Sequence, residues 1–234
     1  MKNQLTNDLQ QRQLFFDHLC TAWSSEYRQR GGSIHCGEGC GGCCSLVVNC
    51  SFPEALRVAG SLTVEHHSRL RAQIDAIKET ADRSGDLKQW LAAYRRLPDA
   101  CPFLNRSAAC SIYPVRPFSC RSLLSTLPPD WCVTDFSGLT SEEKHAFMAA
   151  LDRTSVAFPT HYAATPQEIG QELEEATLRQ METVYGFSIT GSLPWLVWLE
   201  AEYQLSRLLP EGRESVQRYL AERKLLNQFL VVIL

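Results

Sequence analysis

The segment Cys36-Gly-Glu-Gly-Cys40-Gly-Gly-Cys43-Cys44 governs the reading of the whole chain. Four thiols fall within nine residues, and both of the gaps that hold residues contain two glycines. Neither a helical nor a strand period runs through residues 33–50, so this stretch reads as a loop wrapped around something. Gly37, Gly39, Gly41 and Gly42 permit positive φ and let backbone N–H groups approach sulfur closely. Such short spacings let one loop aim several thiolates at a common centre. Thiolates suit zinc and the iron of iron–sulfur clusters.

A second irregular stretch covers residues 98–135. It carries Cys101-Pro-Phe-Leu and Cys110-Ser-Ile-Tyr-Pro-Val-Arg-Pro-Phe-Ser-Cys120-Arg121, and prolines break any long element there. The expected ligand pool is therefore Cys36, Cys40, Cys43, Cys44, Cys101, Cys110 and Cys120. A lone structural zinc needs four ligands. Adjacent side chains such as Cys43 and Cys44 diverge, which suits two metals or two corners of one polynuclear centre. The expected cofactor is an iron–sulfur cluster or polynuclear iron, with zinc as the alternative. Cys50 and Cys132 divide evenly between ligand and buried thiol. Cys20, on the apolar side of the first helical pattern, reads as a small buried hydrophobe.

Three further residues are cofactor-binding candidates. Arg116 and Arg121 would offset the negative charge of a polythiolate centre, or else be solvated or paired to a carboxylate. Tyr113 could donate a hydrogen bond to sulfur or simply pack between its prolines. His35 abuts Cys36 but lacks a paired histidine spacing, and His66-His67 reads as surface.

The flanks are helical. Residues 1–30 carry Phe15, Leu19, Trp23 and Tyr27 at intervals of four and stop at Gly31-Gly32. Ser51-Phe-Pro-Glu54 is a capping box for a short helix through Ala59. Thr63 caps a helix striped by Leu70, Ile74, Ile77 and Ala81. Asp86 opens another with Leu87, Trp90, Leu91 and Tyr94. Thr140-Ser-Glu-Glu143 and Thr165-Pro-Gln-Glu168 are further capping boxes. The helix after the second carries Ile169, Leu173 and Leu178 and ends at Gly186. A Trp- and Leu-rich helix spans Pro194 to Leu209, a last helix starts near Glu214, and the tail Phe229–Leu234 reads best as packing onto the domain. The expected class is mainly α, a helical domain with two irregular cysteine-rich loops around a metal centre. Its parts are an N-terminal helix (1–32), a cysteine cluster region with a helical insert (33–132), and a C-terminal helical region packed on it (133–234).

Composition narrows the function classes. The chain has 234 residues, a formal charge of −3 and ten cysteines, none of them after Cys132. That charge argues against nucleic acid held by bulk electrostatics. No uninterrupted apolar run is long enough to span a bilayer, so no transmembrane segment is expected. The start, Met-Lys-Asn-Gln-Leu-Thr-Asn-Asp, lacks an apolar signal core and reads as cytoplasmic, where thiols stay reduced and structural disulfides are rare.

At Cys40-x2-Cys43-Cys44, Cys101-Pro-Phe-Leu and Cys110-x-Ile-Tyr-x2-Arg-Pro-x2-Cys120-Arg the chain resembles the YkgJ-type cysteine cluster (CxxCxxCC) family, described as zinc- or iron-chelating. The resemblance covers about residues 33–125. The first spacing departs from it, being Cys36-x3-Cys40. An enzymatic relative in that family is the flagellin lysine N-methylase, so the resemblance implies methyl transfer as one option. Three classes follow: an iron–sulfur or polynuclear iron protein with a redox or catalytic role, a zinc-stabilised interaction module, and a protein-modifying methyltransferase. A protein or redox partner, unnamed by the sequence, goes with the first.

Overall fold

In the computed structural model, which describes residues 2–37, 39–98 and 101–234, the chain is mainly helical with one small sheet. Ten α-helices follow in order: α1 (Lys2–Gln29), α2 (Phe52–Ala59), α3 (Val64–Arg83), α4 (Leu87–Tyr94), α5 (Phe118–Arg121), α6 (Asp130–Val133), α7 (Ser141–Ala150), α8 (Ala164–Tyr185), α9 (Leu193–Tyr203) and α10 (Arg213–Glu222). Strands β1 (Asn49–Ser51), β2 (Ile189–Ser192) and β3 (Val231–Ile233) form an antiparallel sheet in that order. The apolar tail is thus a strand, with Val231 opposite Gly191.

The main core gathers around α9. Leu193, Trp195, Leu196, Val197 and Leu199 are all buried, so this helix has no continuous polar stripe and sits inside, packed by α2 and α3. Its neighbours include Cys50, Phe52, Leu70, Ile74, Ile77, Trp90, Tyr94 and Val231. A second cluster joins Leu9 and Phe16 of α1 to Phe118 of α5, with Cys20, Ile169 and Leu173 against it. A third holds Phe147, Leu151 and Val156.

Local signals account for most helix starts. The capping boxes at Ser51/Glu54 and Thr140/Glu143 form as expected, Asp86 accepts from the Gln89 N–H at 2.8 Å, and Gly186 ends α8 at φ 80°. Four expectations need correction. The buried face of α1 runs through Leu9, Gln13, Phe16 and Tyr27, leaving Phe15 58% exposed, because the partner surface of α8 and α5 selects the face rather than the aromatic stripe. Helix α8 begins at Ala164, before Thr165, since the preceding bridge Val156–Ala163 fixes the chain there. Helix α9 ends at Gln204 in a left-handed turn, and Pro210 lies in a separate 3-10 turn. His66 is buried rather than superficial: its Nδ1 accepts from the Thr63 N–H at 3.1 Å and its Nε2 meets Ser111 Oγ at 2.8 Å. No described helix is long and apolar enough to cross a membrane.

Candidate metal centre

The first cysteine loop is pinned at both ends. The His35 N–H donates to the Ser125 carbonyl at 3.0 Å, and the Ser125 N–H donates back to Cys36 Sγ at 3.1 Å. A 3-10 turn over Gly42–Ser45 then presents Cys43 and Cys44, with the Leu46 N–H closing on the Cys43 carbonyl at 3.0 Å. Gly42 lets this turn lie directly on α6. A Cβ there would stand 3.0 Å from Cys132 Cβ and 3.2 Å from the Pro129 carbonyl.

The second cysteine loop folds on itself. Asn105 Oδ1 accepts the N–H groups of Ser107 and Ala109, each at 2.9 Å, and Leu104 pairs with Cys110. This turn returns the chain from Cys101 to Cys110. Helix α5 then carries Cys120, and its start is held by Glu54, whose Oε1 accepts the Phe118 N–H at 2.7 Å while its Oε2 accepts the Ser51 N–H at 2.9 Å. One buried carboxylate therefore ties α2 to α5, and through them the two cysteine loops to each other.

All ten cysteines are free thiols. The structure brings the predicted pool into one neighbourhood of two overlapping groups. Cys43, Cys44, Cys101, Cys110 and Cys120 form the first: Cys44 neighbours both Cys43 and Cys101, and Cys43, Cys44 and Cys110 all bear on Cys120. Cys36, Cys40 and Cys132 form the second, with Cys43 adjoining it. Cys44 is pushed up to about 12, first by the neighbouring Cys101 thiol and then by burial. Burial carries Cys36 up to about 11, with Cys43, Cys40 and Cys132 adding to the rise against the Ser125 N–H. Burial likewise raises Cys110 and lifts Cys120 well above the ordinary thiol range. These thiols are protonated at neutral pH, and a cation entering here has to displace their protons.

Cys20 stands apart from both groups, while Cys50 adjoins Cys120 from the core side. Cys20 packs in the α1–α5–α8 cluster and Cys50 is fully buried in the main core. Arg116 faces the first group and lowers the Cys43, Cys110 and Cys120 thiols. Its guanidinium lies 3.8 Å over the Tyr113 ring, and its Nε is buried with no hydrogen-bond partner. Tyr113 is 55% exposed and serves as the platform for that guanidinium. Arg121 has taken the salt-bridge option. It is 2% exposed, paired to Asp17, and donates to the carbonyls of Arg116 at 2.7 Å and Pro114 at 2.8 Å. His35 is exposed and engages through its backbone.

Sequence reasoning missed Tyr94 and His161. Tyr94 is buried beside Cys101, Cys120 and Cys44, and burial followed by those thiols raises its hydroxyl pKa. His161 Nε2 lies 3.4 Å from Cys132 Sγ. No spacing motif announces that contact. It is built by the Ser125–Tyr162 bridge and by the Thr126 N–H donating to the His161 carbonyl at 3.0 Å. Cys132 itself could have been weighted higher through Gly42, whose missing side chain makes room for it.

Among the described residues no three Cys, His, Asp or Glu side chains stand within ligating distance of one point, so metal uptake requires thiols to turn inward. The donor chemistry fits a soft or borderline cation. The orphaned Arg116 Nε fits an anionic polythiolate, which would supply its missing acceptor.

Residues 35–148 match the family model described as "CxxCxxCC: Putative zinc- or iron-chelating domain". Comparison with curated proteins and with solved structures finds no match.

Proposed function

We propose that the chain is a metal protein whose main centre is an iron–sulfur cluster or polynuclear iron, held by Cys43, Cys44, Cys101, Cys110 and Cys120, with a redox or catalytic role. The observation that carries this is the neighbourhood of five thiols from the two separate cysteine-bearing stretches of chain. A single structural zinc uses four ligands, so five favour a polynuclear centre. The backbone turn over Gly42–Ser45 and the Arg116 guanidinium provide hydrogen bonds and positive charge of the kind that stabilise an anionic cluster. When bound, such a group supplies one-electron or Lewis-acid chemistry. The chain's own residues position it: Arg116 compensates its charge, and Tyr94 and Ile112 limit water on the buried side.

Anaerobic purification, metal analysis and a visible spectrum test this reading. Broad absorption at about 400 nm with bound iron is expected. A colourless protein with stoichiometric zinc overturns the iron assignment, and a folded chain free of transition metal overturns the metal reading. Cys43→Ser and Cys110→Ser should each lose metal and lower the unfolding midpoint. Full metal retention in either variant counts against these ligands.

A further inference from the structure

The third core cluster, around Phe147, leaves an opening that the five-thiol centre does not use. A cavity of about 460 Å³ lies between α6, α7 and residues 159–162, and its lining includes Cys132, His161, Trp131, Phe136, Phe147 and Met148. We infer that this cavity binds a small aromatic molecule carrying one carboxylate. Such a ligand needs no metal and sits apart from the five-thiol centre.

The walls, the floor and the mouth differ in chemistry. Three rings make the walls: Trp131 of α6, Phe147 of α7, and Phe136 from the segment between them. Trp131 lies 4.8 Å from Phe147 and 6.1 Å from Phe136, and Phe136 meets Phe147 edge to face at 4.7 Å, all between centroids. Phe147 is buried, but Trp131, Phe136 and Met148 are only half-buried, so apolar surface is left facing the void. A flat ring gains from offset and edge-to-face contacts with such a cage, and an alkyl chain does not. The floor is polar: Cys132 and His161 are 3% and 4% exposed, and their side chains meet at 3.4 Å. A few polar groups within an apolar lining, in a volume of roughly 300–1,000 Å³, are what small-molecule sites share.

The mouth is cationic. Half-buried Arg95 and exposed Lys144 line the cavity, and no Asp or Glu does. Arg95 Nη1 donates to the Thr134 carbonyl at 2.9 Å, which holds the guanidinium in place. Asp135 faces Arg96 and Arg95, and Glu143 faces Lys144, but both carboxylates are engaged on their own turns. Glu143 Oε2 accepts the Thr140 N–H at 2.8 Å, and Asp135 Oδ1 accepts the Ser137 N–H at 2.9 Å. Among the described residues neither Arg95 nor Lys144 has a salt-bridge partner. Two such cations at the open end of an aromatic cavity are complementary to a ligand with a ring at one end and an anion at the other.

The test is calorimetric titration of the purified chain with naphthylacetate, with its neutral amide, and with decanoate as an alkyl acid. One naphthylacetate should bind per chain, at least about tenfold more tightly than either the amide or decanoate. Lys144→Met and Arg95→Gln should each weaken the acid about three- to tenfold and leave the amide within about twofold. Methyl NMR of the methionines locates the site without any variant. Met148 lines the cavity, whereas Met181 is buried in the main core. The ring current of bound naphthylacetate should shift the Met148 methyl to saturation and leave Met181 unmoved. Absence of saturable binding by the acid overturns the site. So does equal affinity for the amide or for decanoate, unchanged acid binding in both variants, or a Met148 methyl that stays in place. None of these outcomes touches iron content or colour, which test the five-thiol centre alone.

Discussion

Arg121 illustrates how one buried cation shapes the loop around the thiols. Its fork pairs with Asp17 and holds the Pro114 and Arg116 carbonyls, and this folds the segment between Cys110 and Cys120. Asp17 is 41% exposed, so the ion pair contributes little by itself. The two carbonyls matter more, since a buried acceptor left without a donor costs about 1–3 kcal/mol. Arg121→Met should destabilise the chain by about 2–4 kcal/mol in urea unfolding with an unchanged m-value; a shift below about 1 kcal/mol would show that water replaces the guanidinium. At this scale the sequence was informative about residue type and poor about role. Cys43-Cys44 and the Arg-Pro-x2-Cys-Arg run mark the thiol neighbourhood, because ligand chemistry is carried by residue identity and spacing. His161 was not legible, because its contact to Cys132 depends on tertiary pairing across 29 positions.

Between elements, two contacts carry the site. The first is the seat of the Gly42–Ser45 turn on α6. Gly42→Ala puts a methyl group 3.0 Å from Cys132 Cβ and should cost about 1–3 kcal/mol through overpacking, measured by denaturant unfolding. It should also weaken metal retention against a chelator, and normal retention would show that the turn can shift freely. The second contact is the pair Glu54 and Glu174, where α2 meets α8. Burial first, then the charges of Glu54 and Glu175, carry Glu174 up to about 8, and Glu54 is raised chiefly by burial. An unfolded Glu174 returns to its ordinary 4.5, so between pH 4.5 and about 8 the folded chain holds the extra proton. Stability therefore falls as pH rises through that window and levels off above it, with a slope of up to about 1.4 kcal/mol per pH unit. Glu174→Gln should flatten the fall in unfolding experiments from pH 5 to 8; an unaltered slope would assign the dependence elsewhere. Helix starts were readable because caps are local. Buried faces were less so, and α1 shows why: Gln13 is 1% exposed, receiving a hydrogen bond from Arg57 and donating to the Arg116 carbonyl, while Phe15 is left outside.

Over the whole molecule, β1, β2 and β3 bring residues near 50, 190 and 232 together, and this long-range closure sits next to the first cysteine loop. Gly191 is its tightest point, since a Cβ would stand 2.2 Å from the Leu230 carbonyl oxygen. Gly191→Val should cost more than about 3 kcal/mol and lower the thermal midpoint, with near-wild-type stability excluding this register. The mainly α class was visible in the helical periodicities. The sheet was not, because three- and four-residue strands leave too short an alternation to read. The order of these strands also bears on how the chain folds in the cell. Val231 leaves the ribosome about 110 residues after Cys120, which at about 5–20 residues per second is a delay of roughly 5–20 s. Cys132 follows within 12 residues, so for most of that interval every cysteine-bearing loop is already synthesised while the neighbouring sheet lacks its outer strand, and the loops fold before that long-range closure can form.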